Sequence, residues 1–171
     1  LDGLLTRIHS EMADTSHTDP RTCCWGHEVF GAMLEEQAQC GCGHTDKPHC
    51  YSTFLHFVPA KTVVYQPGHG SLAARLHPHL GVDTRPCPEC NSPLRQQKVL
   101  RKKPQVLGLV VIWETDTTKK EHLQSLVAGI DMELNIDSVY SRGSDQGNPQ
   151  YELAGVICFY RDHYLAYFHV A

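Results

Sequence analysis

Apolar residues recur at Leu1, Leu4, Leu5, Ile8 and Met12, a spacing that lines one face of an opening helix. The polar run from Asp14 to Pro20 should end it, because proline cannot continue the hydrogen-bond ladder. Phe30 to Gln39 reads as a strand, although Met33-Leu-Glu-Glu-Gln-Ala38 also fits a helix. Tyr51 to Val58 and Thr62 to Tyr65 read as further strands, and residues 66–70 as a turn. Ser71 is placed to cap a short helix with Leu72, Leu76 and Leu80 on one face. Leu94 to Leu100 is a polar, basic strand, whereas Val106 to Trp113 is apolar on both faces and reads as a buried central strand. Thr118 to Glu121 has the form of a capping box, predicting a helix with Leu123, Leu126, Val127 and Ile130 turned inward. After a loop over Ser141 to Pro149, two apolar strands close the chain, Leu153 to Tyr160 and Tyr164 to Phe168.

The break between those last strands carries His163, flanked by Asp162 and Tyr164. A histidine at the mouth of a hairpin suits a general base, since strands hold the ring while the turn exposes it; it equally fits an ordinary strand-end residue.

Cysteine placement changes the picture more. Cys87-Pro-Glu-Cys90 is a CxxC of the kind that grips zinc, and Cys40-Gly-Cys42 is a glycine-rich partner upstream. Residues 43–86 lie between them, long enough for two strands and a helix, so two separate turns can each supply two thiolates to one tetrahedral ion. CxC reaches less far than CxxC, which leaves His44 as a substitute for Cys40 or Cys42. Reduced, metal-free thiols are the alternative. Cys23 and Cys24 are adjacent and poorly placed to bond to each other. Cys24 and His27 fit metal ligation, a thiol–imidazole pair, or a small buried thiol beside a structural histidine at the start of a strand.

Composition narrows the classes. With 171 residues, 41% hydrophobic and 20% charged, the chain forms one globular domain or part of a larger one. A net charge of −4 argues against a general nucleic-acid binder. The one basic cluster (Arg95, Lys98, Arg101, Lys102, Lys103) also fits a solvated edge strand. The longest apolar run, Val106 to Trp113, is too short to span a bilayer. The amphipathic N-terminus lacks the form of a signal peptide, which favours zinc over disulfides for the eight cysteines. A first residue other than Met, in what reads as mid-helix, suggests a fragment.

The order of these pieces resembles the ubiquitin-specific protease family, a papain-like branch of cysteine proteases. Leu1-Asp-Gly-Leu-Leu-Thr-Arg-Ile-His9 looks like the end of that family's thumb helix, and Tyr151-Glu-Leu-Ala-Gly-Val-Ile-Cys158 like its Tyr-x-Leu-x-x-Val-Ile strand. His163-Tyr164 matches its catalytic His-Tyr. The Cys24-Trp-Gly-His27 element and the gapless turn before His163 look closest to a divergent sub-branch with members regarded as inactive.

The resemblance implies an α+β, hand-like fold with mainly antiparallel sheet, of which this chain is the C-terminal part. Residues 1–13 would end the thumb helix, about 24–105 would form the fingers, and about 106–171 the palm. It implies a structural zinc on Cys40, Cys42, Cys87 and Cys90, ubiquitin or polyubiquitin as partner, no role for nucleic acid or membrane, and a cytoplasmic or nuclear location. It makes His163 the general base for a cysteine that attacks the carbonyl at ubiquitin's C-terminal glycine. The family's nucleophile box and its orienting Asp or Asn are not among these 171 residues, and Asp162 stands where the family has Gly. Thiol-dependent cleavage is therefore expected of an intact protein and not of this chain alone. A non-catalytic ubiquitin-binding scaffold is the alternative, and a zinc-ribbon nucleic-acid binder a more distant one.

Overall fold

The computed structural model describes residues 2–12, 24–64, 70–79, 82–113, 119–142, 148–160 and 162–169. The opening stripe forms helix α1 (Asp2–Met12), with Leu5 buried and Leu4 exposed. Residues 24–30 do not begin a strand: Trp25–Val29 makes one helical turn, α2, that leads through Gly31 into β1 (Ala32–Gln39). A Cβ on Gly31 would lie 2.4 Å from the carbonyl oxygen of His27, so only glycine fits that junction. The ambiguity over Met33–Ala38 resolves as strand because both edges of β1 find partners.

β1 pairs antiparallel with β2 (His49–Thr53) on one side and β5 (Pro93–Lys102) on the other. β4 (Val82–Pro86) adds to β5, and β8 (Ser141–Arg142) pairs with β5 in parallel, which gives a five-stranded sheet. The expected strand Tyr51–Val58 is broken at Phe54; its second half is β3 (Leu55–Pro59). The strand expected over Thr62–Tyr65 is instead the end of a helical turn, α3 (Ala60–Val63), and Tyr65 and the turn over 66–69 lie outside the described residues. α4 (Leu72–His79) starts as expected, with Ser71 Oγ accepting from the Ala74 N–H at 3.3 Å; Leu80 is outside the described residues.

β6 (Gly108–Ile112) is not a central strand. Among the described residues it pairs only with β3, in parallel, and it is half-buried, with Ile112 exposed. α5 (Lys120–Ala128) has Lys119 at its N-cap with no side-chain capping bond, and Thr118 lies outside the described residues. Of its expected inward residues, Leu126 and Ile130 pack on the core while Leu123 and Val127 face out. β7 (Glu133–Asn135) pairs with β9 (Gln150–Glu152), and β10 (Gly155–Tyr160) with β11 (His163–Phe168). The result is α+β with mainly antiparallel pairing. No helix among the described residues is long and apolar enough to cross a membrane.

The main core lies where Ala32 and Leu34 of β1, Val58, Leu72 and Leu76, Leu134, Ile136 and Tyr140 converge. A second, small cluster of Ala38, Cys87 and Leu94, with Cys40 against it, sits at the far end of the β1–β5 pair. That end carries the cysteines.

Candidate cysteine knuckles and the His163 hairpin

Antiparallel pairing of β1 with β5 brings the end of one strand to the start of the other, with Gln39 opposite Arg95. The turn leaving β1 and the β4–β5 turn therefore lie side by side. In the first, Cys40 N–H donates to the His44 carbonyl at 2.8 Å and Gly43 N–H to the Cys40 carbonyl at 3.0 Å, with Gly43 at φ 96°. In the second, Cys87 N–H donates to Ser92 O at 2.8 Å and Asn91, at φ 59°, donates to Cys87 O at 2.9 Å. Each turn is closed by its own backbone, so its thiols are held before any ion arrives.

Cys40 Sγ lies 3.4 Å from Cys90 Sγ, and Cys42 Sγ 3.7 Å from Cys87 Sγ; all four sulfurs fall within 4.8 Å of one another. Disulfide sulfurs would be ~2.05 Å apart. Thiolates ~2.3 Å from a tetrahedral zinc sit about 3.8 Å apart. The spacing matches shared ligation, and the short reach of CxC is made up by the adjacent strands. His44 is not part of this group: its Nε2 lies 3.2 Å from Asp46 Oδ1, and Asp46 also holds Arg85 at 3.2 Å.

Hydrogen bonding by Ser92, helped by the neighbouring thiols, draws the Cys90 thiol down to about 6. The Cys42 backbone favours a Cys40 thiolate, yet Cys90, Cys42 and Cys87 crowd it and leave its thiol at about 12. Four adjacent thiols cannot all ionise without a cation to take up the charge, which is the electrostatic reason such a cluster suits a divalent metal.

His163 opens β11 directly opposite Tyr160, just after Asp162 in a turn. It is exposed, and among the described residues no side chain is hydrogen-bonded to its ring. The rings of Phe159 and Tyr164, paired across the strands, meet at a tilt with centroids 4.8 Å apart. Ile157, Phe159, Tyr164, Tyr167 and Phe168 of the hairpin are all more than half exposed. His163 and the four cysteines belong to separate sheets.

The basic cluster is largely tied up within the fold. Lys98 pairs with Glu36 at 2.7 Å, and Arg101 grips Glu35 through two bonds of 2.6 and 3.0 Å. Lys102 donates to His27 O at 3.0 Å and Lys103 to Asn148 O. The Arg101 guanidinium holds the Glu35 carboxyl below its ordinary range.

Two features escaped sequence reading. His56 and Tyr140, far apart in the chain, meet in the core, with the hydroxyl 2.5 Å from Nδ1. His9 of α1 joins Cys24 and His27; Cys23 lies outside the described residues. The one available signal for the second group was the pairing of Cys24 with His27 three residues later.

The family model described as ubiquitin carboxyl-terminal hydrolase matches residues 1–170. Ubiquitin carboxyl-terminal hydrolase 54 of Rattus norvegicus is 28% identical over 185 residues, a match spanning 98% of this chain and 12% of the relative. Ubiquitin carboxyl-terminal hydrolase 53 of Homo sapiens is 23% identical over 183 residues, spanning 97% and 17%. Among solved structures, the SAGA DUB module of Ubp8, Sgf11, Sus1 and Sgf73 bound to monoubiquitin superposes with a TM-score of 0.61 at 19% identity. That match covers 99% of this chain and 39% of the other. The same module bound to ubiquitin aldehyde gives 0.59 at 20% identity, covering 99% and 40%. At these identities the structural likeness establishes the fold. This chain thus spans a small fraction of its relatives' length.

Proposed function

The chain belongs to the ubiquitin carboxyl-terminal hydrolase family, and from that membership we propose that it supplies the fingers and palm of a domain that cleaves ubiquitin from conjugates by thiol chemistry. His163 is the general base. The observation that carries this reading is its position: exposed at the head of β11, opposite Tyr160, where the paired strands hold the residue at the surface. In the intact site the imidazole would take the proton from a cysteine thiol and later return it to the leaving lysine amine. The nucleophile and the group that orients His163 would come from outside these 171 residues.

In this proposal Cys40, Cys42, Cys87 and Cys90 hold a structural zinc. Their donor set and spacing support it, and four thiolates leave no open position for chemistry. The zinc would pin two turns that, with the β1–β2–β5 sheet, form the surface gripping the globular body of ubiquitin. The domain would lie at about 1–13 for the thumb helix, about 24–105 for the fingers and about 106–171 for the palm.

The test uses the full-length protein with a fluorogenic ubiquitin substrate. Wild type is expected to turn over, and His163→Ala to lose about 10²–10⁴-fold in kcat. Full activity in His163→Ala would remove His163 from the role. One observation favours a second reading: Asp162, not a small residue, stands before His163 in the exposed turn. In that reading the domain binds ubiquitin without cleaving it. Ubiquitin carrying a C-terminal electrophile separates the two, because covalent capture requires a nucleophile that a scaffold lacks.

A further inference from the structure

Behind β1, away from the four-cysteine end, a second set of ligand atoms converges. His9 Nδ1, in the last turn of α1, lies 3.6 Å from Cys24 Sγ. His27 Nδ1, in α2, lies 3.3 Å from the same sulfur. The three donors fall within 4.8 Å of one another, and the two imidazole rings meet edge to face with centroids 4.7 Å apart. Cys24 occupies the N-cap position of α2 but makes no capping bond; its side chain is turned to the two rings. Cys24 and His27 are buried, 9% and 7% exposed, and His9 is half-buried; the Phe54 ring packs against His27 with centroids 4.5 Å apart.

We propose that His9, Cys24 and His27 form a second metal site, taking zinc or a similar borderline-soft divalent cation, that staples α1 to α2. A zinc ~2.3 Å from sulfur and ~2.0–2.1 Å from nitrogen holds S and N about 3.5 Å apart in a tetrahedron. The two S···N distances bracket that value. A thiolate bound to a cation would be shared with both imidazole nitrogens at once. Water or a further donor completes the fourth position.

The neighbourhood explains the choice of ligands. Burial, reinforced by the His9 and Lys102 charges, lowers the His27 pKa. Lys102 is the adverse element, since its ammonium donates to His27 O, the backbone carbonyl of one of the ligand residues. The single thiolate offsets that charge, which is a reason for Cys24 among the ligands. The staple would join helices whose ligands are 15 residues apart in the chain, a loop whose closure is otherwise entropically costly. This site rests on the α1–α2 geometry and owes nothing to the ubiquitin reading.

The test is metal stoichiometry and cobalt spectroscopy on the 171-residue chain. Wild type freed of loose metal should retain about two equivalents of zinc, one per cluster. His9→Gln and Cys24→Ala should each drop to about one, with the remaining cobalt derivative showing a four-thiolate spectrum. A Cys87→Ser/Cys90→Ser variant should keep about one, with a weaker thiolate-to-cobalt charge-transfer band, as one sulfur and two imidazoles require. A wild-type cobalt spectrum with only the four-thiolate component overturns the proposal without relying on any variant's folding. So does an unchanged zinc count in folded His9→Gln.

Discussion

At the scale of the residue, His56 is the most consequential surprise. Its Nδ1 meets the Tyr140 hydroxyl, while its Nε2 is buried with no hydrogen-bond partner among the described residues. It is enclosed with Val58, Leu76, Leu109 and Ile136 around a small apolar cavity. Burial above all, with the Lys98 charge, lowers its pKa from 6.5 to about 4. The fold therefore favours the neutral ring. That stabilisation is complete above the unfolded pKa of 6.5 and is lost as acid takes the pH from 6.5 down to about 4. The loss amounts to at most about 3 kcal/mol. Urea denaturation at stepped pH should show this decline, and His56→Phe should flatten it across that window. Tyr140→Phe should cost about 1–3 kcal/mol at neutral pH, because a second buried ring nitrogen would lose its partner. Neither residue carries a local pattern that marks it; they are adjacent only because β3 and the short 3-10 turn Ile136–Ser138 pack on one core.

At the scale of the element, helix ends and strand junctions separate the legible from the illegible. The cap at Ser71 was readable because N-capping is local chemistry, between a side chain and a backbone N–H three residues on. What could not be read is that Asp131, from beyond α5, also accepts from the Leu72 N–H, at 2.5 Å. Ser71→Ala should cost about 0.5–1 kcal/mol, since only the Ala74 N–H loses its acceptor while Leu72 N–H keeps Asp131, and Asp131→Ala about 1–3 kcal/mol, the range for a charged acceptor. Thermal or urea unfolding of the two variants checks the order. α2 shows the opposite case. Its five residues carry no helical stripe, so they read as the start of a strand, and Gly31 allows the chain to turn from that helical turn into β1. Gly31→Ala, with its Cβ 2.4 Å from the His27 carbonyl oxygen, should displace that turn and lower the melting temperature.

At the scale of the molecule, the two ends of the β1–β5 sheet are held differently. One end packs on the main core; the other has only the small cluster under the cysteine turns. If the thiols hold zinc, a strong chelator should destabilise the cysteine end while leaving the core end protected. Amide hydrogen exchange should then rise near Gln39 and Arg95 and stay low near Leu34 and Leu100. Uniform protection with and without chelator would show that the turns stand on their own hydrogen bonds.

Local chemistry was sufficient to specify the opening helix, the Ser71 helix, the two cysteine turns and the hairpin around His163. Each depends on spacing or side-chain type within a few residues, and folding left these assignments in place. Long-range pairing settled the rest. Val106 to Trp113 looked buried on both faces because its composition is apolar, but burial depends on what packs against it, and among the described residues β6 has β3 alone as its strand partner. Leu123 and Val127 share an apolar composition with Leu126 and Ile130, yet only the latter two meet the core. The CxC pair looked too short to share an ion until the antiparallel register of β1 and β5 set its sulfurs 3.4 and 3.7 Å from those of the CxxC. Motifs name the atoms available for ligation, and only the meeting of distant strands and helices determines which of them stand close enough to act together.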